Sequence, residues 1–284
     1  MRRPERFAVV AIALAALAGC ATVTEKDSAW IETDGKAQLV ALGCPPREPM
    51  ATKPGELPSD RQLEVISWNI HRNGDVGWEA DLARFASSSD VVILQEATLT
   101  AALRSQFAKA GRVWTHADAW AFDGINSGVL TAAAASPDSA CVQRAAEPLI
   151  TLPKSALVAW YRIRGRKELL AVANVHAVNF TLDLTVYQRQ IENVIDVLAP
   201  HQGPVILAGD FNTWSPLRVK VLEDAAARIG LTEAKPVRGE RSLFMGMAAD
   251  YIFVRGLAVE DVWVETVTSS DHQPIRAKLR LPPT

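Results

Sequence analysis

Four short apolar runs in this chain stop abruptly at a polar motif, and that repeated pattern constrains the fold more than any other feature. Leu63–Ser67 runs into Trp68-Asn69, Val91–Leu94 into Gln95-Glu96, and Val205–Ala208 into Gly209-Asp210-Phe211-Asn212; a late segment feeds Thr268–Ser270 and then Asp271-His272. Continuous, β-branched runs of this length read as buried strands. Polar groups clustered just past strand ends are where α/β enzymes carry their chemistry, because the loops there are free to vary. The pattern predicts one site assembled from four strand ends.

The rest of the chain fills in the layers. Further strands are predicted at Val113–His116, Gly128–Ala133, Leu157–Ile163, Leu169–His176, Tyr251–Val254 and Ile275–Leu281, with a hairpin at Gly165-Arg166-Lys167. Helical spacing relates Trp78, Leu82, Phe85 and Ala86, and more clearly Tyr187, Ile191, Val194, Ile195 and Leu198, a stripe ended by Pro200 and Gly203. Several strands follow one another with only turns between, which a doubly wound parallel sheet would not do. The expected class is α/β, with two mixed sheets packed face to face and helices outside. Trp68, Phe211 and Tyr251 alternate with motif residues and should point into the core. His116 and His201 read as surface residues, and Arg189 as a solvated one. Ala117–Asn126 and Lys235–Phe244 read as loops, the latter with a basic tip at Arg238 and Arg241.

Arg2, Arg3 and Arg6 precede twelve apolar residues, Phe7–Ala18, and then Leu17-Ala18-Gly19-Cys20. A basic start and a short apolar stretch ending in small residues make a secretory signal, too short to span a bilayer. Leu-Ala-Gly-Cys resembles the bacterial lipoprotein box, which makes Cys20 the lipidated first residue of the mature chain. With Ala21 rather than Asp next, the expected location is the outer membrane, facing the periplasm of a Gram-negative bacterium. The leader is residues 1–19, a Pro-rich tether spans 20–59 with one short strand at Gln38–Leu42, and a single catalytic domain occupies 60–284. Of three cysteines, Cys44 and Cys141 are then left as a pair, and an oxidising compartment favours a bridge between them. Removing Arg2, Arg3, Arg6 and Glu5 leaves 27 basic against 31 acidic residues. A nucleic-acid binder normally shows a basic excess or stripe, so the balance counts against DNA as the main substrate.

Asn69, Glu96, Asp210, Asn212, Asp250, Asp271, His176 and His272 form an oxygen-rich set with few thiols. Hard carboxylate and amide donors suit Mg²⁺ or Mn²⁺ better than zinc. Ser67-Trp68-Asn69, Gln95-Glu96, Asn126-Ser127-Gly128-Val129, Asn174-Val175-His176, Gly209-Asp210-Phe211-Asn212, Asp250-Tyr251-Ile252-Phe253 and Ser270-Asp271-His272 occur in the order in which similar motifs occur in one superfamily. Over about Leu63 to Leu281 the chain resembles the endonuclease/exonuclease/phosphatase superfamily. DNase I, abasic endonucleases, inositol-phosphate 5-phosphatases and bacterial sphingomyelinases belong to it; the segments near Asn174 and Gly203 are most similar to a small bacterial branch.

The resemblance implies a DNase I-like four-layer α/β sandwich and metal-dependent hydrolysis of a phosphoester. It makes Glu96 the principal metal ligand, with Asn69 and Asp271 nearby, partly through water. Asp210 and Asn212 would position or activate the attacking water, and His176 would donate to phosphate oxygens. His272, paired with Asp250, would act as base or phosphate contact. Where abasic endonucleases carry an acid after the first Asn, this chain has His71; where they use a Tyr it has His176. Three readings stay open: a phosphodiesterase or nuclease, a hydrolase of phospholipid head groups or small phosphate esters, and a lipid-anchored binding protein without catalysis. The intact acid, amide and His set argues against the third.

Overall fold

The computed structural model describes residues 21–282 apart from 24–26, 45–47, 51, 61, 149–151, 180 and 182. Residues 1–20, with the expected leader and Cys20, lie outside the described residues. In chain order the principal elements are β1 (Ser28–Thr33), β2 (Lys36–Ala41), β3 (Leu63–Asn69), α1 (Trp78–Ser88), β4 (Val91–Thr98), α2 (Ala101–Lys109), β5 (Val113–Phe122) and β6 (Ile125–Ala133). They continue with β7 (Ser139–Ala146), β8 (Pro153–Ile163), β9 (Leu169–His176), α3 (Thr185–Leu198), β10 (Val205–Asp210), α4 (Pro216–Arg228), β11 (Asp250–Arg255), β12 (Ala258–Val264) and β13 (Ile275–Arg280).

One sheet has the order β12-β13-β3-β4-β6-β5-β1-β2, and the other has β11-β10-β9-β8-β7 at its centre. Each contains a parallel pair of long strands joined through a helix, β3/β4 through α1 and β9/β10 through α3, and the second sheet also carries the short segment Glu56–Leu57 parallel to β8. Antiparallel neighbours need only turns, whereas a parallel step needs a crossover. That difference explains the uneven spacing of helices along the chain. The sheets pack face to face over a core that includes Ile31, Val65, Ile93, Val129, Leu157, Val172, Ile206 and Ile252. Outside the first sheet, Trp78, Leu82 and Phe85 of α1 and Leu103 and Phe107 of α2 cover Ile66, Trp68, Val92 and Leu94. Outside the second, Tyr187, Ile191 and Val194 of α3 and Leu222 of α4 cover Val175, Leu207 and Phe253. Strands buried on both faces lose the polar alternation of a half-exposed sheet, which is why their runs are continuously apolar. The layers are helix, sheet, sheet, helix, as in DNase I-like proteins.

Several expectations need correcting. Residues 28–41 are built into the domain: β1 and β2 form a hairpin that adds to the first sheet through β5, and Ala29, Ile31 and Val40 sit in the inter-sheet core. Their alternating apolar residues are few and set among charges, so composition masked them. Ala117–Asn126 is a strand hairpin, not a loop. His116 and His201 are buried, each with Nε2 against a backbone carbonyl, that of Ala97 for His116 and of Leu169 for His201. Arg238 and Arg241 are paired with Asp261 and Glu233, so the basic tip is neutralised. Helices α2 and α4 went unread because their apolar stripes are weak. Each begins at a side-chain cap instead, Thr100 accepting from the Leu103 amide and Ser215 from the Arg218 amide. Cys44 and Cys141 are disulfide-bonded, with Cα atoms 4.9 Å apart.

Candidate active site

Strand register lines up three of the polar residues. His176 is level with Asp210 across β9/β10, and Asp210 with Asp250 across β10/β11. Neighbouring strands lie about 4.8 Å apart, so this register alone forms a rank of imidazole, carboxylate and carboxylate at one end of the second sheet. Gly209 precedes Asp210 at φ 148°, and a Cβ there would come within 1.9 Å of the Val175 carbonyl oxygen. Only glycine fits that approach, and the register depends on it.

The first sheet brings Asn69 and Glu96 to face this rank. Glu96 sits in an irregularity of β4 between Leu94 and Ala97, at φ 52°. Such a bulge re-aims a side chain out of the strand's alternation. Gln95, just before it, donates to Asn174 Oδ1 at 2.8 Å, and Asn174 donates in turn to the carbonyls of Leu94 and Leu130 at 3.0 Å. This buried bridge fixes one sheet against the other directly behind the site. Asn69 donates to Asp210 Oδ2 at 3.0 Å, and Asp210 Oδ1 accepts the Asn212 amide at 3.0 Å. Asn212 has φ 49° and donates to the Ala177 carbonyl at 2.9 Å. Residues 71–73 also have positive φ, at 47°, 58° and 45°. Left-handed backbone at non-glycine residues is costly and clusters at functional sites.

His272 closes the rank from the loop between β12 and β13. Its ring nitrogen Nδ1 is 2.7 Å from Asp250 Oδ2, and its Nε2 is 3.9 Å from Asp210 Oδ2. Ser270 Oγ holds that loop, donating to the Asn69 carbonyl at 2.7 Å and accepting the His272 amide at 3.1 Å. Asp271 is turned outward, its side chain 62% exposed and 3.9 Å from His71 Nδ1.

Burial opposes the charge on His272, but Asp250 and Asp210, with Asp271 behind them, outweigh it and raise the ring to about 10. At neutral pH this ring carries its proton. His176 behaves oppositely: burial, seconded by Lys154, holds it down at about 4 against the pull of Asp210 and Glu96. Its Nε2 lies 3.5 Å from Asp210 Oδ2 and 3.7 Å from Glu96 Oε1. Burial also works against Glu96, yet His176, Lys154 and Arg72 hold that carboxyl at about 2. Because His176 is neutral at neutral pH, the Lys154 and Arg72 cations keep Glu96 ionised there. Burial pushes Asp210 up, with Asp250 adding to the effect and His272 and His176 opposing it. Ligand atoms of Asp210, Asp250 and His272 lie within 4.8 Å of one another. The raised ring and its Nδ1 bond to Asp250 make that trio a proton-holding unit at neutral pH.

The structure thus brings together Asn69, Glu96, His176, Asp210, Asn212, Asp250 and His272, and leaves Asp271 on the rim. Motif reading missed Lys154, whose Nζ is 3.6 Å from Glu96 Oε1, and Arg72, whose Nε is 3.3 Å from Glu96 Oε2. Neither has a local signal, since a Lys in a strand and an Arg in a turn read as solvated charge. Arg218 was also missed. Fully buried, it donates to the carbonyls of Val178, Asn212 and Asn179 and stacks between Tyr187 and Trp214, 4.4 Å from each ring. It holds the Asn212 loop from behind.

Comparison with known proteins agrees with this geometry. The model of the Endonuclease/Exonuclease/phosphatase family matches residues 66–272. A UPF0294 protein of Yersinia enterocolitica is 39% identical over 245 residues, 85% of this chain and 90% of that protein. One of Vibrio cholerae is 36% identical over 226 residues, 79% of this chain and 80% of its own length. Among solved structures, the human Nocturnin catalytic domain with bound sulfate superposes with a TM-score of 0.61 at 15% identity, covering 81% of this chain and 97% of that one. Zebrafish (D. rerio) TDP2 complexed with single-strand DNA product gives 0.55 at 20% identity, over 78% and 100%. These structural likenesses concern the fold alone. With strand ends, register and motif span in agreement, the chain belongs to the Endonuclease/Exonuclease/phosphatase family.

Proposed function

We propose that this protein hydrolyses phosphoesters, phosphodiesters first among them, with a divalent cation of the Mg²⁺ or Mn²⁺ kind held at Glu96. The observation that carries the reading is the buried rank His176–Asp210–Asp250 with His272 against it, facing an ionised Glu96. The donor set fits such an ion. Glu96 offers a carboxylate at any ordinary pH, Asn69 Oδ1 has a lone pair beyond the one accepting the His71 amide, and no thiol competes. Asp271 stands on the rim, where it would act partly through water. Bound there, the ion would neutralise phosphate charge and polarise the P–O bond under attack.

The side chains then divide the remaining work. Asn212 and Asn69 orient Asp210, whose raised proton affinity suits it to take a proton from the attacking water. The water oxygen forms a new P–O bond as the ester P–O bond breaks, and the leaving oxygen departs with its bonding pair and takes a proton from solvent. Neutral His176 and protonated His272 donate to the phosphate oxygens as negative charge grows on them. The DNA product and the sulfate in the TDP2 and Nocturnin structures are in keeping with a tetrahedral oxyanion as ligand. Residues 1–20 carry the further reading of a cleaved leader and a lipid on Cys20, holding the enzyme at the outer membrane.

Plasmid DNA, a synthetic phosphodiester, a phospholipid and an inositol phosphate, each with Mg²⁺ and with chelator, test the class. Hydrolysis of at least one, lost with EDTA and in Glu96→Gln, is the expected result. Full turnover in EDTA would overturn the metal assignment.

A further inference from the structure

The exposed apolar residues are distributed unevenly between the two ends of the sandwich. Register fixes which end each occupies. β4 ends at Glu96–Thr98, and Thr98 is level with Ser127 near the start of β6, so the β5/β6 hairpin tip lies at the catalytic end. That tip exposes Phe122 and Ile125 around the turn Asp123-Gly124. On the other flank of the cleft, the turn Leu243-Phe244-Met245 leads into β11, whose first residue is Asp250. Phe244 and Met245 are 51% and 74% exposed. Ser242, at the base of that turn, accepts the Gln273 amide beside His272.

The opposite end shows that hairpin tips need none of this. There the turns read Asp34-Gly35-Lys36 and Gly165-Arg166-Lys167. Turn residues are normally small or polar because water, not the core, surrounds them. Aromatic and aliphatic side chains on two separate tips flanking one cleft mark a surface that meets something apolar.

Chain continuity identifies that partner. Ala21 is level with Phe122 in a strand pairing with β5, so the residue directly after Cys20 already belongs to the sheet at this end. A lipid on Cys20 would leave no tether, and the Phe122–Ile125 tip beside it would reach the bilayer surface. Among the described residues no helix is long and apolar enough to cross a membrane. We infer that the catalytic end of the sandwich docks on a phospholipid bilayer through the Phe122–Ile125 and Leu243–Met245 tips, with the cleft facing the lipid head groups. Strands are about 4.8 Å apart, so the first tip stands two strands, on the order of 10 Å, from Glu96. Docking therefore presents the site to phosphoesters in the membrane surface. The inference rests on the reading of Cys20 as a lipid attachment site, and its test keeps the two apart.

In the lipidated full chain with Cys44 and Cys141 bridged, an introduced cysteine is the only free thiol. Phe122→Cys, Phe244→Cys and, at the opposite end of the first sheet, Val259→Cys are labelled with an environment-sensitive fluorophore. Each is placed in phosphatidylethanolamine–phosphatidylglycerol vesicles containing brominated lipid. Loss of emission at positions 122 and 244 but not at 259 is expected. In the unlipidated Cys20→Ser chain, Phe122→Ser with Phe244→Ser should weaken vesicle binding at least about tenfold, from the apolar area withdrawn. Membrane-retained protein with all three labels unquenched overturns the docking and leaves the anchor standing. Quenching at 259 equal to that at 122 overturns the orientation. A wild-type chain that fractionates like Cys20→Ser overturns the anchor, and absence of vesicle binding by that soluble chain then removes the docking too.

Discussion

Replacing Asp250 with Asn should lower the proton affinity of His272, and the structure sets the scale of that change. Against burial, the carboxylates around the ring raise it from 6.5 to about 10, which corresponds to about 5 kcal/mol in favour of the protonated form. Asp250 supplies both the largest favourable charge and the 2.7 Å bond to Nδ1. The substituted amide would keep a polar contact but no charge, leaving Asp210 and exposed Asp271 to oppose burial. The ring's pKa should then fall by roughly 2 to 3 pH units. Since the protonated ring is the donor, wild-type turnover should decline as pH rises through about 10, and in Asp250→Asn that limb should move down by the same interval. At neutral pH the Asp250→Asn ring would still be at least about half protonated, so that variant should slow hydrolysis by about tenfold, chiefly through the lost anchor on Nδ1, and His272→Ala by about 10²- to 10⁴-fold. The double variant should be little worse than the poorer single, as expected of groups acting as one unit. Imidazole carbon–proton NMR titration reads the ring directly; the chain has five histidines, and His272→Ala assigns its signal. A ring still titrating near 10 in Asp250→Asn, or strictly multiplicative rate losses, would refute the coupling.

Other perturbations probe separate parts of the molecule. Glu96→Gln should lower turnover by about 10²- to 10³-fold and weaken Mn²⁺ binding seen by calorimetry; undiminished Mn²⁺ affinity would count against Glu96 as the ligand. His116 is held at about 4 by burial, below its unfolded value, so the unfolded chain takes the proton first. Its contribution is intact above about pH 6.5 and lost towards pH 4, about 3 kcal/mol in all, and urea unfolding of His116→Gln should show that much less acid sensitivity. Arg218→Ala leaves the Val178 and Asn212 carbonyls without their side-chain donor and should cost about 3 kcal/mol in the same assay; a change under about 0.5 kcal/mol, the usual surface level, would show that the guanidinium does not hold the Asn212 loop. Cys44 and Cys141 lie 97 residues apart, so reduction should lower stability by about 4 kcal/mol through the freed loop, and equal midpoints with and without reductant would exclude the bridge.

What the sequence alone determined follows from local chemistry. β3, β4, β9 and β10 are buried on both faces, so their apolar runs are continuous and their ends are abrupt. The acids, amides and imidazoles of the site sit at those ends, and each could be found from its own neighbours. Tertiary structure alone decided what depends on pairing between distant segments. The β1/β2 hairpin looked like a tether because only Ala29, Ile31 and Val40 face the core, and their burial requires β5 beside them. His116 is an ordinary histidine until β6 pairs with both β4 and β5 and brings it to the Ala97 carbonyl. Lys154 and Arg72 come from separate segments and meet at Glu96 only when the two sheets stack. The opposite proton affinities of His176 and His272 have the same origin. Burial opposes the proton on both rings, but at His272 the Asp250 and Asp210 carboxylates outweigh it, whereas at His176 burial, seconded by Lys154, prevails over Asp210 and Glu96. Which charges surround a buried ring is fixed by strand register across the chain, and no local stretch of sequence encodes it.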